Sequence, residues 1–109
     1  MSEINFMSAT DIVRKIRDKE LSCQEVMAAH LSQIDRINPV VNAVVTQIPP
    51  EQALAEAQAA DEANAQGRKV GLLHGLPMAH KDLVPTKGLR TTLGSPIFKD
   101  QIPDHDGLI

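Results

Sequence analysis

Lys81 and Asp82 are the residues on which any chemistry in this sequence turns. They close the stretch GLLHGLPMAHKDL, Gly71 to Leu83, in which the apolar run Leu76, Pro77, Met78 and Ala79 carries a lysine into what reads as the end of a buried strand. An unpaired ammonium there would be costly. Either Asp82 and nearby carbonyls hold Lys81 as a paired or solvated structural charge, or the site keeps the amine partly neutral so that it acts as a base. An ordinary lysine titrates about 3.4 pH units above neutrality, so base work at pH 7 needs roughly 4 to 5 kcal/mol of preferential destabilisation of the charged form. Perturbed lysines are more often structural than catalytic, so these residues alone favour the structural alternative.

Other side chains bear on chemistry more weakly. Cys23 lies at an expected helix start, where the dipole lowers a thiol pKa, but no His is placed in a thiol-enzyme signature, so it reads as a plain helix-face residue. His74, His80 and His105 with Asp82, Asp104 and Asp106 supply enough ligands for a metal, yet their spacings match no compact zinc motif. No metal is expected. His30 falls beside an apolar helical stripe and reads as hydrogen-bonded or partly exposed. Arg68, Lys69, Lys87 and Arg90 read as solvated loop charges, too few for a phosphate site. Thr91 and Thr92 are expected to hydrogen-bond the loop backbone near Lys81, as support and not as catalysts.

From Gly71 to Ser95 the sequence GLLHGLPMAHKDLVPTKGLRTTLGS resembles the segment that opens the catalytic core of the amidase signature family. The family outline is G-P-L-x-G-I-P-x-x-x-K-D, a short variable stretch, then G-x-x-T-x-x-G-S. Leu72 stands where proline is frequent, Leu76 where isoleucine is common, and His80 where an apolar residue is usual. By this resemblance Lys81 is the base of a Ser-Ser-Lys triad, in which a serine held by a cis peptide bond relays the proton of the nucleophilic serine. The serine- and glycine-rich motif that supplies both serines and the oxyanion hole has no counterpart in this chain. Ser95, in Gly94-Ser95-Pro96, matches a turn of the family segment and has no identifiable activating base, so it does not fill that place. The resemblance further implies a mixed sheet flanked by helices, a small-molecule amide as substrate, and no cofactor. Its amidotransferase subunits more often carry asparagine after the lysine-aspartate pair, where this chain has Leu83.

The elements that must position this segment are bounded by composition. The chain has 109 residues, 42% of them apolar, but only two Phe and neither Tyr nor Trp, so few side chains can fill a core and the core is expected to be thin. A net charge of -3 without a basic cluster leaves no footprint for nucleic acid. One cysteine excludes an intrachain disulfide framework. The start MSEINFMSATD has no signal-peptide pattern and no apolar run approaches bilayer length, which points to a soluble, cytoplasmic protein that does not engage a membrane.

Ser8 or Thr10 caps a first short helix whose stripe is Ile12, Val13 and Ile16. Ser22 and Glu25 have capping-box spacing, and Val26, Met27, Leu31, Ile34 and Ile37 extend a second amphipathic helix to about Asn38, where Pro39 is expected to stop it. Asn42 to Gln47 reads as the first strand. Pro50 opens a third helix over residues 51 to 66, with Gly67 placed to end it; its alanines allow either close packing or a solvated helix with a narrow contact face. Glycines and prolines then mark loops joining short strands. The expected architecture is α/β and spans residues 1–109: a helical part over about 8–66, then a strand and loop segment carrying the lysine motif over about 70–109. The N-terminal helices would be the surface for self-association. Asp104 or Asp106 would cap a helix beginning with Leu108 and Ile109, so the chain is expected to be the front part of a longer polypeptide.

Three functions fit this reading. The leading one is an amidase-type hydrolase cleaving a carboxylic amide C–N bond, represented by its N-terminal part and inactive without the serine segment. The second is the amide-cleaving subunit of an amidotransferase, and the third a non-catalytic helical interaction module.

Overall fold

A computed structural model describes residues 3–108 and divides the chain into two units, Met1–Pro77 and Met78–Ile109. Three α-helices lie in the first: α1 (Ala9–Arg17), α2 (Cys23–Val41) and α3 (Pro50–Ala65), preceded by a 3₁₀ turn at Glu3–Phe6. A second 3₁₀ turn, Pro96–Phe98, lies in the other unit. Among the described residues there is no strand. The α/β expectation is therefore overturned: the regular structure is all helical.

The reason lies in where the backbone hydrogen bonds go. A strand needs a neighbour for its N–H and C=O groups. In the first candidate, Asn38 takes both polar groups of Val44: its Nδ2 donates to the Val44 carbonyl at 2.9 Å and its Oδ1 accepts the Val44 amide at 2.9 Å. The stretch Gly71 to Leu83 turns at residues 72–75 and again after Lys81, and residues 76–81 between the turns belong to no regular element. His74 N–H donates to Gly71 O, Leu76 N–H to Leu73 O and Val84 N–H to Lys81 O, at 3.2, 3.1 and 2.9 Å.

The helix starts follow their sequence signals. Ser8 caps α1, its Oγ accepting the Asp11 amide at 3.1 Å. At α2 the capping box is complete: Glu25 N–H donates to Ser22 Oγ at 3.0 Å and Ser22 N–H to Glu25 Oε2 at 2.8 Å. Two orphan amides remain at such a terminus. They are taken by Asp61 of α3, whose Oδ1 accepts Cys23 N–H at 2.6 Å and Oδ2 accepts Gln24 N–H at 3.1 Å. All four free donors of α2 are thus satisfied, two of them by a residue from the neighbouring helix, and two carboxylates face the positive end of the dipole.

The helix ends depart from expectation once. α2 continues through Pro39 to Val41 and stops at Asn42, which is left-handed (φ 49°, ψ 43°) and donates its amide to Asn38 O at 2.7 Å. Asparagine tolerates this conformation, and Pro39 removes only one bond near an end that the Asn38 side chain has already tied to Val44. α3 ends as expected at Gly67, φ 68°, with Gly67 N–H on Asn64 O and Arg68 N–H on Ala63 O, the paired bonds of a Schellman motif.

The core of Met1–Pro77 is small, as the aromatic-poor composition implies. Ile12, Ile16, Cys23, Val26 and Ala57 form it, flanked by Ile4, Met7, Leu21, Met27, Ala60 and Leu76. The spacing of Ala53, Ala57 and Ala60 puts one face of α3 against its neighbour while the rest is solvated, so both expectations for that helix hold in part. Polar bonds fix the layer: Asn64 Nδ2 donates to Ile16 O at 3.0 Å, and His74 Nε2 donates to Ala60 O at 2.9 Å, returning the chain onto α3. Gly75 then passes so close to the core that a Cβ there would lie 2.7 Å from Cys23 Sγ and 2.9 Å from Ile16 Cδ1.

Met78–Ile109 is built from turns. Thr91, 3% exposed, donates its amide to Gln101 O at 3.0 Å, and Gly88 N–H reaches Pro103 O at 3.0 Å. Asp106 does not cap a helix: its Oδ1 accepts Lys87 N–H at 2.8 Å, and Gly107 N–H closes on Pro85 O at 2.7 Å. Of the two expected first apolar residues of that helix, Leu108 is outside any helix and Ile109 lies outside the described residues.

Candidate functional site

Lys81 sits on a turn of Met78–Ile109, its carbonyl accepting the Val84 amide at 2.9 Å, and its side chain is exposed. The expectations that it ends a buried strand and that its amine is enclosed are both corrected: the apolar residues before it do not form a strand, and Met78, Ala79 and His80 are exposed too. Asp82 is not its partner. That carboxylate accepts the Thr92 amide on Oδ1 at 2.7 Å and the Thr92 hydroxyl on Oδ2, while Leu93 N–H donates to Asp82 O at 3.0 Å. The Thr92 hydroxyl, followed by its amide, holds the Asp82 carboxyl below the ordinary carboxylate pKa, because each donor favours the charged form. The Thr92 hydroxyl thus donates to the side chain of Asp82 and not to the expected loop backbone, while the Thr91 hydroxyl donates to Leu89 O at 3.2 Å.

The remaining candidates are accounted for by structure. Ser95 caps the 3₁₀ turn Pro96–Phe98, its Oγ accepting Ile97 N–H at 3.3 Å, which is the role of a turn residue. Cys23 is 1% exposed, and burial first, then the adjacent Asp61 carboxylate, pushes its thiol up to about 12. The dipole does not win there, and Cys23 is an inert core residue. His30 Nδ1 is 2.8 Å from Val26 O, one turn back on α2. His74 is bonded to Ala60 O, His105 to Asp104 and Asp106 to Lys87 N–H, so the proposed ligands are dispersed. Among the described residues no three His, Cys, Asp or Glu side chains converge on a metal-sized site. Arg90 is not simply solvated, since its Nη1 donates to Lys99 O at 3.3 Å.

Sequence reasoning missed Asp61, which binds an amide 38 residues away. It also missed that Thr92 finds Asp82; the only available signal was the occurrence of both in the lysine-aspartate and threonine-containing parts of one segment. A cleft of about 330 Å³ beside the α1–α2 corner is lined by Glu20, Glu25, Asp61 and Asn64 among others. Each of those four already has a partner: Lys15, Ser22, the α2 amides and Ile16 O.

A family model described as Amidase matches residues 25–109, which include most of α2, all of α3 and the Lys81 segment. This chain belongs to the amidase family. It is 39% identical over 109 residues to a glutamyl-tRNA(Gln) amidotransferase subunit of Streptomyces coelicolor, covering 100% of this chain and 22% of that protein. It is 44% identical over 93 residues to the protein of the same name from Geobacter metallireducens, covering 85% of this chain and 19% of the relative. The chain therefore spans about a fifth of the length of these curated relatives. A solved structure reported as "An unexpected vestigial protein complex reveals the evolutionary origins of an s-triazine catabolic enzyme" is similar at a TM-score of 0.81 and 32% identity, over 92% of this chain and 22% of that one. No helix among the described residues is long and apolar enough to cross a membrane.

Proposed function

We propose that this chain supplies the general base, Lys81, for hydrolysis of the C–N bond of a carboxylic amide. The observation that carries the reading is the amidase-family match over residues 25–109, a range that contains Lys81 and Asp82; the role given to Lys81 comes from the resemblance of Gly71 to Ser95 to the family's lysine-aspartate segment. In this reading the neutral amine of Lys81 takes a proton through a bridging serine as the nucleophilic serine attacks the amide carbonyl. The nitrogen leaves with a proton, and water then cleaves the acyl ester to give the acid. Neither serine is assigned to these residues, so Lys81 needs a serine-bearing segment to act. The reaction belongs in the cytoplasm, on a small-molecule amide.

A second reading is favoured by the names of the relatives, which are amidotransferase subunits. There the released ammonia passes to a partner protein, and adding that partner with its acceptor changes amide turnover. Leu83, where such subunits more often have asparagine, supports the free hydrolase.

The test is Lys81→Ala in the complete polypeptide in which the chain occurs. Amide hydrolysis should fall by about 10²–10⁴-fold with folding intact, the usual contribution of a general base. Near-normal turnover would refute the assignment.

A further inference from the structure

We propose that Thr92 is a positioning residue for amide hydrolysis, fixing through Asp82 the backbone that presents Lys81. This rests on the reading of Lys81 as the base. Asp82 is held to the Thr92–Leu93 dipeptide by three bonds: Thr92 N–H to Oδ1 at 2.7 Å, the Thr92 hydroxyl to Oδ2, and Leu93 N–H to Asp82 O at 3.0 Å. A fourth, Val84 N–H to Lys81 O at 2.9 Å, fixes the turn on the other side. Lys81 therefore leaves a main chain tied both at its own carbonyl and at the next residue.

Both donors of Thr92, its amide and its hydroxyl, are committed to Asp82. Its hydroxyl donates to Asp82 and accepts the Gly94 amide at 3.3 Å, while its own amide meets the other carboxylate oxygen. Leu93 beside it lies at φ 54°, in the left-handed region that an L-residue with a Cβ avoids, and Gly94 follows at φ 68°. Such a conformation persists only where surrounding bonds impose it, and Asp82 supplies one of them.

Four variants of the complete polypeptide decide the matter, each assayed for kcat, KM and thermal melting on an amide that the wild type hydrolyses. Thr92→Val removes the hydroxyl and keeps the shape; it should lower kcat about 10- to 100-fold, as for other groups that orient a reacting residue, with KM within about twofold. Thr92→Ser retains the donor and should restore most of kcat. Asp82→Asn keeps the volume without the charge and should reproduce the loss, which covers the case of a poorly folding Thr92→Val. A kcat within about twofold of wild type in Thr92→Val or Asp82→Asn, or a Thr92→Ser variant as impaired as Thr92→Val, overturns the proposal. Lys81→Ala separates the two levels: if it is inactive beside a fully active Thr92→Val, only the role of Thr92 falls, and if it is active, the base assignment itself falls.

Discussion

Asp82 and Thr92, ten residues apart, share two hydrogen bonds in which threonine is the donor both times, through its amide and through its hydroxyl. Only an ionised carboxylate accepts both fully. The folded-state pKa of Asp82 is held below its ordinary value, so the stabilisation is present above that ordinary value, near 4, and is lost as the pH falls through the lower folded one. Asp11, Glu20 and Asp104 are lowered as well, each by a hydrogen bond from Ser8, Lys15 or His105 first, and act in the same direction. The chain should therefore lose stability on acidification below about pH 4, and hydrogen exchange at the Thr92 and Leu93 amides should accelerate there. Asp82→Asn should flatten that pH dependence; an unchanged profile at those two amides would contradict the assignment.

Gly75 should tolerate no side chain. Its φ of 86° is unfavourable for any L-residue, and a Cβ would stand 2.7 Å from Cys23 Sγ and 2.9 Å from Ile16 Cδ1, inside the small core. Gly75→Ala is expected to destabilise the helical unit by about 2–4 kcal/mol, combining overpacking with backbone strain. Thermal melting reads this directly. Adding Cys23→Ala should recover part of the loss, since it removes one of the two atoms in the way but not the backbone strain.

Asp61→Ala leaves the Cys23 and Gln24 amides without their acceptor. The expected cost is about 1–2 kcal/mol, the range for loss of a helix cap, or a drop of several degrees in Tm. Asp61→Asn, which retains one acceptor oxygen, should fall between. A melting curve unaffected by Asp61→Ala would show that water replaces the carboxylate at no cost.

What could be read from sequence was local. The Ser8 cap, the Ser22–Glu25 box and the Gly67 stop were visible because each signal lies within a few residues of the backbone groups it serves. Pro39 misled because the end of α2 is set by Asn38 reaching forward to Val44, a contact that proline statistics do not contain. The expected strands failed for a similar reason: Val-rich and apolar stretches fit a sheet, but in Asn42 to Gln47 the Asn38 side chain takes both backbone groups of Val44, and the apolar stretch before Lys81 is bounded by turns closed on the carbonyls of Gly71, Leu73 and Lys81. Of the candidate site, Lys81 and Asp82 stood out by type and spacing, whereas the exposure of Lys81 and the commitment of Asp82 to Thr92 depend on how Met78–Ile109, a unit without long regular elements, closes on itself. That closure uses pairs such as Gly88–Pro103 and Lys87–Asp106, which no periodicity announces.

The acceptor for two amides of α2 lies 37 and 38 residues downstream of them. During synthesis the chain is made from its N-terminus, so α1 and α2 are translated while Cys23 and Gln24 still donate to water. Until Asp61 has emerged, this helix start is only half capped, and the segment that brings the missing carboxylate also brings Ala57, which packs with Val26 and Cys23. Completing the cap of α2 and closing the core therefore both wait on the same segment of chain.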